Sequence, residues 1–178
     1  MSDRQLTGVL LVGGASERFG SPKALARFRG ETLAERAWRL LGEACDERLA
    51  VGKAADGLEL PFPLLDDGTE TRAPLAGVVA GLRAASHDIA LIVPVDMPLL
   101  DPASLRALAD ACQDAAVPQT GPLPGAYRRT SLPVLEAALA AGELKLRDAV
   151  ARLDAALVML PAEVLENVNE RNDLQRLE

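Results

Sequence analysis

The chain has 178 residues, of which 49% are hydrophobic and only 3% aromatic, and its formal net charge is −7. This length fits one domain with a core built mainly of Leu, Ala and Val. The negative charge argues against broad nucleic-acid binding, which needs a basic surface, although local cations and backbone N–H groups can still bind phosphate.

The sequence contains no apolar stretch of the roughly 20 residues that a membrane span needs, and no signal-peptide stretch at its start. We therefore expect a cytoplasmic protein. Cys45 and Cys112 are the two cysteines, and both lie in Ala/Leu-rich helical patterns. That setting predicts buried free thiols rather than a disulfide.

Short apolar runs typical of buried strands alternate along the chain with amphipathic runs typical of helices. Asp101 followed by Pro102 predicts a helix start, and Gly142 predicts a helix end. In chain order we predict a strand over 7–12, a helix over 31–45, a strand over 47–51, a helix over 74–85, a strand over 88–96, a helix over 101–112 and a helix over 131–142.

Strands that alternate with helices of about a dozen residues imply parallel pairing and right-handed crossovers. The predicted fold class is α/β, with a doubly wound, mostly parallel sheet in a Rossmann-like three-layer sandwich. In such sheets ligands bind outside the carboxyl ends of the strands. Chemistry is therefore expected just after Val12, Val51, Leu65 and Val93.

A glycine-rich turn follows the first strand, in the stretch LVGGASERFGSPK over 11–23. Gly13, Gly14 and Gly20 allow a tight turn whose N–H groups can face a ligand. Arg18 and Lys23 could neutralise phosphate oxygens there. The alternative is a surface loop with two solvated cations, because the turn matches neither the P-loop nor the GxGxxG pattern.

The order of residues in LVGGASERFGSPKAL closely resembles the LAGGxSxRMGxxKxL signature of nucleotidyltransferases that activate sugars, isoprenoid precursors or molybdopterin. The double glycine resembles the MobA-like members, whereas cytidylyl relatives more often read LAAG. The chain departs from the signature at Val12, where the family usually has Ala, and at Phe19, where it has Met. The resemblance implies a nucleotidyltransferase fold of the nucleotide-diphospho-sugar transferase type.

Asp96 closes the predicted strand 88–96, between Pro94 and Pro98. Its segment PVDMPLL resembles the family's CDxP, whose aspartate binds Mg²⁺ together with the triphosphate. A divalent ion offsets phosphate charge in such a transfer, and Mg²⁺ prefers carboxylate and water oxygens. Asp96 is thus the expected metal ligand, and a turn or N-cap role is the alternative.

Three further segments resemble the family's nucleotide contacts. In LLDDGTETRAPLAG, the spacing to PLAG favours Asp66 as the nucleotide-contacting aspartate, with Asp67 as the alternative. Pro74 and Gly77 of APLAG resemble the wall that admits the nucleotide. Gly52 stands where the family has asparagine, so that contact is lost, or Lys53 or a water replaces it.

The C-terminal half resembles the acceptor side. Arg129, in GPLPGAYRRTSLPVL, aligns with an arginine of the wall beside the pterin substrate. ENVNERNDL resembles the family's NxNxPxDL, and Asn167 and Asn169 are two residues apart, so they share a face of an extended segment. An N-cap is the alternative for Asn169. We expect Lys145, Arg147 and the lone histidine, His87, to be solvated surface residues.

The resemblance implies one nucleotidyltransferase domain over 1–178, with a nucleotide-binding N-terminal half and an acceptor-binding C-terminal half. It implies Mg²⁺-dependent transfer of GMP from GTP to Mo-molybdopterin, giving molybdopterin guanine dinucleotide and pyrophosphate. Its expected catalytic residues are Arg18, Lys23 and Asp96. The expected nucleotide-binding set is Leu11, Val12, Gly13, Gly14, Lys23, Gly52, Asp66, Pro74, Gly77 and Asp96.

The expected partners are GTP, molybdopterin and other proteins of molybdenum cofactor biosynthesis, without nucleic acid or membrane. Two alternatives stay open at the level of the sequence. One is a related enzyme that uses CTP or another phosphorylated acceptor. The other is a non-catalytic nucleotide-binding homologue.

Overall fold

A seven-stranded sheet forms the centre of the structure, a computed structural model that describes residues 4–13, 19 and 21–177. Residues 27–32 form a separate two-stranded hairpin. In chain order the strands are β1 (Leu6–Leu11), β2 (Arg27–Phe28), β3 (Glu31–Thr32), β4 (Glu47–Gly52), β5 (Leu65–Asp66), β6 (Ile89–Pro94), β7 (Ala115–Pro118), β8 (Gly125–Arg128) and β9 (Ala155–Val158). The helices are α1 (Leu33–Ala44), α2 (Pro74–Ala84), α3 (Pro102–Ala111), α4 (Leu132–Ala140), α5 (Leu146–Val150) and α6 (Arg171–Leu177).

The sheet order is β5-β4-β1-β6-β8-β7-β9. In this described sheet β8 alone is antiparallel to its neighbours, β6 and β7, while the other pairings are parallel. One apolar cluster joins the sheet to α1 and α3, and a second joins its other face to α2, α4 and α5. The predicted mostly parallel, doubly wound three-layer fold is therefore confirmed.

β1 lies in the middle of the sheet, and all six of its residues are buried. Successive side chains of a strand point to opposite faces, so Val9 joins the apolar cluster on one face and Leu10 the cluster on the other. A strand buried on both faces reads as a continuous apolar run, which is why the sequence predicted it directly. Its last residue, Leu11, leads into the glycine-rich turn.

Helix caps confirm two predicted boundaries. The Asp101 side chain accepts a hydrogen bond from Ser104 N (2.7 Å), and Pro102 occupies the first position of α3. Gly142 follows α4 with φ of 78°, a conformation that favours glycine. Gly142 N donates to Leu139 O (3.0 Å) and Glu143 N to Ala138 O (3.1 Å), which closes the helix in a Schellman motif.

Both cysteines are free thiols, as predicted; Cys112 is buried, as also predicted, whereas Cys45 is only half-buried. Burial raises the pKa of Cys45 to about 12 and that of Cys112 to about 11, so neither is ionised near neutral pH. Within the described part of the chain, no helix combines the length and the apolarity that crossing a bilayer requires.

The prediction that His87 is a solvated surface residue is wrong. Its Nδ1 lies 3.1 Å from Thr7 Oγ1, and its side chain is only 20% exposed. Thr7 Oγ1 also donates to Glu47 Oε2 (2.6 Å), so this group ties the amino ends of β1, β4 and β6 together. Thr7 and His87 are 80 positions apart in the sequence, so the residues around His87 do not reveal this contact.

Candidate active site

A cleft of about 940 Å³ lies at the carboxyl edge of the parallel strands, where the fold rule predicts a ligand. Segments from both halves of the chain line it. Of the residues predicted from the sequence, it is bordered by Leu11, Val12, Gly13, Lys23, Gly52, Pro74, Gly77, Asp96 and Asn167. Gly14, Arg18 and Gly20 lie outside the described residues.

Lys23 and Asp96 meet inside this cleft. Lys23 Nζ is 3.5 Å from Asp96 Oδ2, and the two side chains are 19% and 27% exposed. Lys23 begins a short 3-10 helix after the glycine-rich turn, and Asp96 comes two residues after β6 ends. Because β1 and β6 are adjacent and parallel, their carboxyl ends bring the turn and the carboxylate together. A cation and an acid thus share one wall, accessible to a ligand.

The backbone around Asp96 is held from two sides. Val95 N donates to Leu11 O (3.1 Å), which continues the β1–β6 ladder beyond the strand end. Val168 N donates to Asp96 O (2.8 Å) and ties this loop to the C-terminal segment. The Asp96 side chain therefore projects from a fixed backbone into the cleft.

Two departures from the family signature, Val12 and Gly52, contact each other. A Cβ at Gly52 would lie 2.8 Å from Val12 Cγ2 and 3.4 Å from Leu64 Cδ1. The branched Val12 side chain therefore occupies the space that any larger residue at position 52 would need. The residue types at positions 12 and 52 are therefore sterically coupled in the wall of the cleft.

We expect Gly52→Ala to destabilise the fold by about 1–3 kcal/mol, because the added methyl group overpacks against Val12. Val12→Ala in the same chain should relieve most of that loss. Urea unfolding of the wild type, both single variants and the double variant measures the coupling. Additive effects of the two substitutions would contradict the steric pairing.

Lys53, directly after Gly52, forms a buried ion pair with Asp67. Its ammonium lies 2.7 Å from Asp67 Oδ1 and also donates to the carbonyl and hydroxyl oxygens of Thr69. The Lys53 and Asp67 side chains are only 10% and 7% exposed. Among the described residues the hydrogen bonds to Asp67 all end on Oδ1, so Oδ2 remains available at the cleft wall.

The sequence favoured Asp66 over Asp67 at this wall, and the geometry reverses that choice. Asp66 is exposed, does not border the cleft, and accepts hydrogen bonds from the backbone N–H groups of Ala54 and Gly68 (both 2.7 Å). These bonds hold the pKa of Asp66 below its usual value, mainly through Ala54. Adjacent residues of an extended segment point to opposite sides, so only one of the two acids can face the cleft.

The amino end of α2 forms another part of the wall. Ala73 precedes the helix without a side-chain cap, and Pro74 occupies its first turn. A Cβ at Gly77 would lie 2.8 Å from Leu11 Cδ2, so glycine lets α2 pack closely against the end of β1. Pro74 has no N–H and the Ala76 N–H donates to Ala73 O (3.1 Å), so this end offers a ligand mainly the positive end of the helix dipole.

The opposite wall comes from the C-terminal half. Lys145 and Arg147 are exposed, as predicted, but they border the cleft instead of facing bulk solvent elsewhere. Lys145 is the N-cap of α5 and Arg147 lies in the first turn of that helix. The connection before β8 also borders the cleft, with Thr120, Gly121, Pro122 and Leu123. The sequence showed two cations in an amphipathic pattern but gave no signal of their position relative to the sheet.

The predicted acceptor contact through Arg129 is wrong in its placement. Arg129 is exposed at the end of β8, and its N–H donates to Asp88 O (2.8 Å), just before β6 begins. Asp96 follows the opposite end of β6, about 20 Å away for a six-residue strand. Because β8 runs antiparallel to β6, its carboxyl end lies at the edge of the sheet remote from the cleft.

The two predicted asparagines approach the cleft from the C-terminal segment. Asn167 borders the cleft, and Asn169 Oδ1 lies 3.5 Å from Lys23 Nζ. The backbone N–H of Asn169 donates to Asp173 Oδ2 (2.8 Å), so the carboxylate of Asp173, not the Asn169 side chain, caps the start of α6. This leaves the Asn169 amide group directed at Lys23.

Among the described residues no group of three or more His, Cys, Asp or Glu side chains could hold a metal ion by itself. Three described carboxylates border the cleft: Asp67, Asp96 and Asp148. Asp67 is buried against Lys53 and Asp148 belongs to α5, whereas Asp96 is 27% exposed beside Lys23, after the end of β6. Mg²⁺ is commonly bound by one or two carboxylates together with substrate phosphates and waters. One accessible carboxylate beside a phosphate-sized space fits that mode.

The fold and the cleft define the class of protein. The chain superposes on molybdopterin-guanine dinucleotide biosynthesis protein A from Archaeoglobus fulgidus with a TM-score of 0.82, at 24% identity over 97% of this chain and 96% of that chain. A 2-C-methyl-D-erythritol 4-phosphate cytidylyltransferase from Thermus thermophilus gives a TM-score of 0.73 at 21% identity, covering 95% of each chain. The structure is thus an α/β fold of the nucleotidyltransferase type.

The sequence narrows this class to one family. A family model described as "MobA-like NTP transferase domain" matches residues 8–157. The chain is 38% identical over 161 residues to a protein of Chloroflexus aggregans named "Probable molybdenum cofactor guanylyltransferase", covering 83% of this chain and 77% of the relative. A protein of Bacillus subtilis with the same name is 31% identical, covering 96% and 93%. The chain belongs to the family of MobA-like NTP transferase domains.

Proposed function

We propose that this chain is a molybdenum cofactor guanylyltransferase, which transfers GMP from GTP to the phosphate of Mo-molybdopterin in the cytoplasm. The products would be molybdopterin guanine dinucleotide and pyrophosphate. The observation that carries the proposal is the meeting of Lys23 and Asp96, 3.5 Å apart, where the glycine-rich turn enters a two-walled cleft. The relatives named molybdenum cofactor guanylyltransferase support the choice of nucleotide and acceptor.

The nucleotide would occupy the wall that the N-terminal half supplies. Gly13, where an added Cβ would meet nothing closer than Gly52 Cα at 3.9 Å, leaves room there for a close approach, and the positive end of the α2 helix dipole borders the cleft. Asp67 Oδ2 adds an acceptor for N–H or O–H groups of the nucleoside, while Lys53 neutralises the other carboxylate oxygen. This wall combines a positive helix end for phosphate with an acceptor for base or ribose.

The triphosphate would lie between Lys23 and Asp96. The Lys23 ammonium suits the phosphate oxygens and the negative charge that builds up on the leaving pyrophosphate. Asp96 would hold Mg²⁺, which when bound would offset the charge of the phosphates. Arg18, as the sequence suggests, would add a second cation.

The acceptor would approach from the wall of the C-terminal half. An oxygen of its phosphate forms a bond to the α-phosphorus of GTP, and the bond from that phosphorus to the α–β bridging oxygen breaks. The bridging oxygen takes the electron pair and leaves with pyrophosphate. The acceptor phosphate is already ionised near neutral pH, so no general base is required.

Lys145 and Arg147 replace Arg129 as the proposed acceptor-phosphate contacts. Both border the cleft, and Asn167 also lines it. Two cations facing an incoming phosphomonoester favour its binding through charge-assisted hydrogen bonds. The division into a nucleotide-binding and an acceptor-binding half is therefore part of this proposal.

The test is pyrophosphate release by the purified chain with Mg²⁺, Mo-molybdopterin and GTP, CTP or ATP in turn. We expect release with GTP and formation of the guanine dinucleotide. Release with CTP instead would make the chain a cytidylyltransferase. Tight GTP binding without pyrophosphate would contradict catalysis and indicate a nucleotide-binding homologue.

A further inference from the structure

The last connection of the chain runs across the cleft edge, and we name residues 167–171 the C-terminal strap. Val168 is fully buried, and its N–H holds the backbone of Asp96. Asn167 borders the cleft and Asn169 approaches Lys23. Arg171 follows as the first residue of α6. The strap thus contacts Asp96, Lys23 and, through Arg171, a third part of the cleft edge.

That third point is the end of the glycine-rich turn. Arg171 Nε donates to Phe19 O (3.3 Å), and its Nη2 donates to Ser21 Oγ (3.2 Å). The guanidinium also lies 6.0 Å from the centre of the Phe19 ring. One side chain therefore holds Phe19 and Ser21, which lie four and two positions before Lys23.

Both residues of this contact depart from the family patterns that the chain resembles. The pattern NxNxPxDL has proline where Arg171 stands, and the signature has methionine where Phe19 stands. Both departures meet in one contact, and Phe19 is only 3% exposed, so it fixes the turn to the core while Arg171 holds its outer side. A proline could make none of these hydrogen bonds.

We propose that Arg171 is a positioning residue that fixes the end of the glycine-rich turn against the C-terminal strap, and so fixes where Lys23 meets the triphosphate. This inference rests on the proposed nucleotidyl transfer. Arg171 acts through the turn and leaves the chemical step to other groups. Its loss should weaken GTP binding more than it slows turnover.

The test compares Arg171→Pro, Arg171→Ala and Arg171→Lys. Arg171 is the first residue of α6, a position that accepts proline, so Arg171→Pro removes the guanidinium and keeps the helix start. Arg176→Ala is the matched control, because it removes the same charge from the same helix, where Arg176 contacts only Glu166 and Asp173 among the described residues.

We expect KM for GTP to rise about 3- to 10-fold in the Pro and Ala variants, with kcat within about 2-fold of the wild type. The reason is that each variant loses two charge-assisted hydrogen bonds at an exposed site. Lysine should not restore KM, because its single ammonium cannot span Phe19 O and Ser21 Oγ. Millimolar guanidinium should partly restore KM in Arg171→Ala, and Arg176→Ala should match the wild type. A KM unchanged in Arg171→Pro, or raised equally in Arg176→Ala, would overturn the proposal.

A second measurement does not depend on activity. Hydrogen exchange of the peptide covering residues 19–26 should become faster in Arg171→Ala and stay unchanged in Arg176→Ala, because the turn loses its outer hydrogen bonds. Unchanged exchange in Arg171→Ala would also overturn the proposal. If the wild type releases no pyrophosphate, the proposed function fails, and this measurement still decides the role of Arg171.

Discussion

Asp96→Ala is expected to abolish turnover, with pyrophosphate release falling by at least about 10²–10³-fold, the loss typical when a transition-state charge loses its main support. Asp96 is a partly exposed carboxylate of the cleft, beside Lys23, so its removal would take away the proposed protein ligand of Mg²⁺. The measurement is pyrophosphate release against GTP and Mg²⁺ concentration, with circular dichroism to verify the fold.

The fold of Asp96→Ala should be intact, because the carboxylate is 27% exposed and its neighbouring backbone bonds do not involve the side chain. Asp110→Ala is the matched control, since Asp110 is an exposed acid on α3 that does not border the cleft. It should retain wild-type turnover. Equal turnover of the two variants would refute the metal-binding role of Asp96.

Lys53→Met is expected to lower the free energy of unfolding by about 3 kcal/mol, the cost typical of leaving one member of a buried ion pair without its partner. The Asp67 carboxylate would keep its hydrogen bond from Thr69 N but lose the ammonium 2.7 Å away. Urea unfolding at neutral pH measures the loss.

The double variant Lys53→Met with Asp67→Leu should recover most of that stability, because the cleft wall then holds no uncompensated charge. The same double variant should bind GTP more weakly than the wild type, since it lacks the proposed acceptor of the nucleoside. If the double variant were less stable than Lys53→Met alone, the ion pair would not be the cause. Arg72→Met provides a control, because its ion pair with Asp56 is exposed and should contribute little.

The elements with local sequence signals, such as β1 and α3, could be predicted. The strand around Val9 and Leu10 is buried on both faces, and the cap at Asp101 needs only its own helix, so both features appear in the sequence. β7, β8 and β9 were not predicted. Each has four residues, and segments such as AAVP have little strand propensity of their own. Their conformation comes from pairing with neighbours distant in sequence.

The candidate site shows the same limit. Lys23 and Asp96 could be predicted because each follows a strand recognisable by itself, whereas Arg129 was misplaced because strand direction is not a local property. The ion pair of Lys53 with Asp67 joins residues 14 positions apart, and the contact of Arg171 with Phe19 joins residues 152 positions apart. The sequence showed the departures Val12 and Gly52 separately, and only packing shows that they are coupled.

The reversed direction of β8 has a consequence for how this scaffold can change. Because the strand enters the sheet from the cleft side, the far wall is formed by the connection before it and by residues 144–148 at the start of α5, away from the strand ends that precede Lys23 and Asp96. Insertions or exchanges over 119–124 and 142–148 would therefore reshape acceptor choice while the phosphate chemistry stays in place. A library confined to these two segments is the direct route to new second substrates.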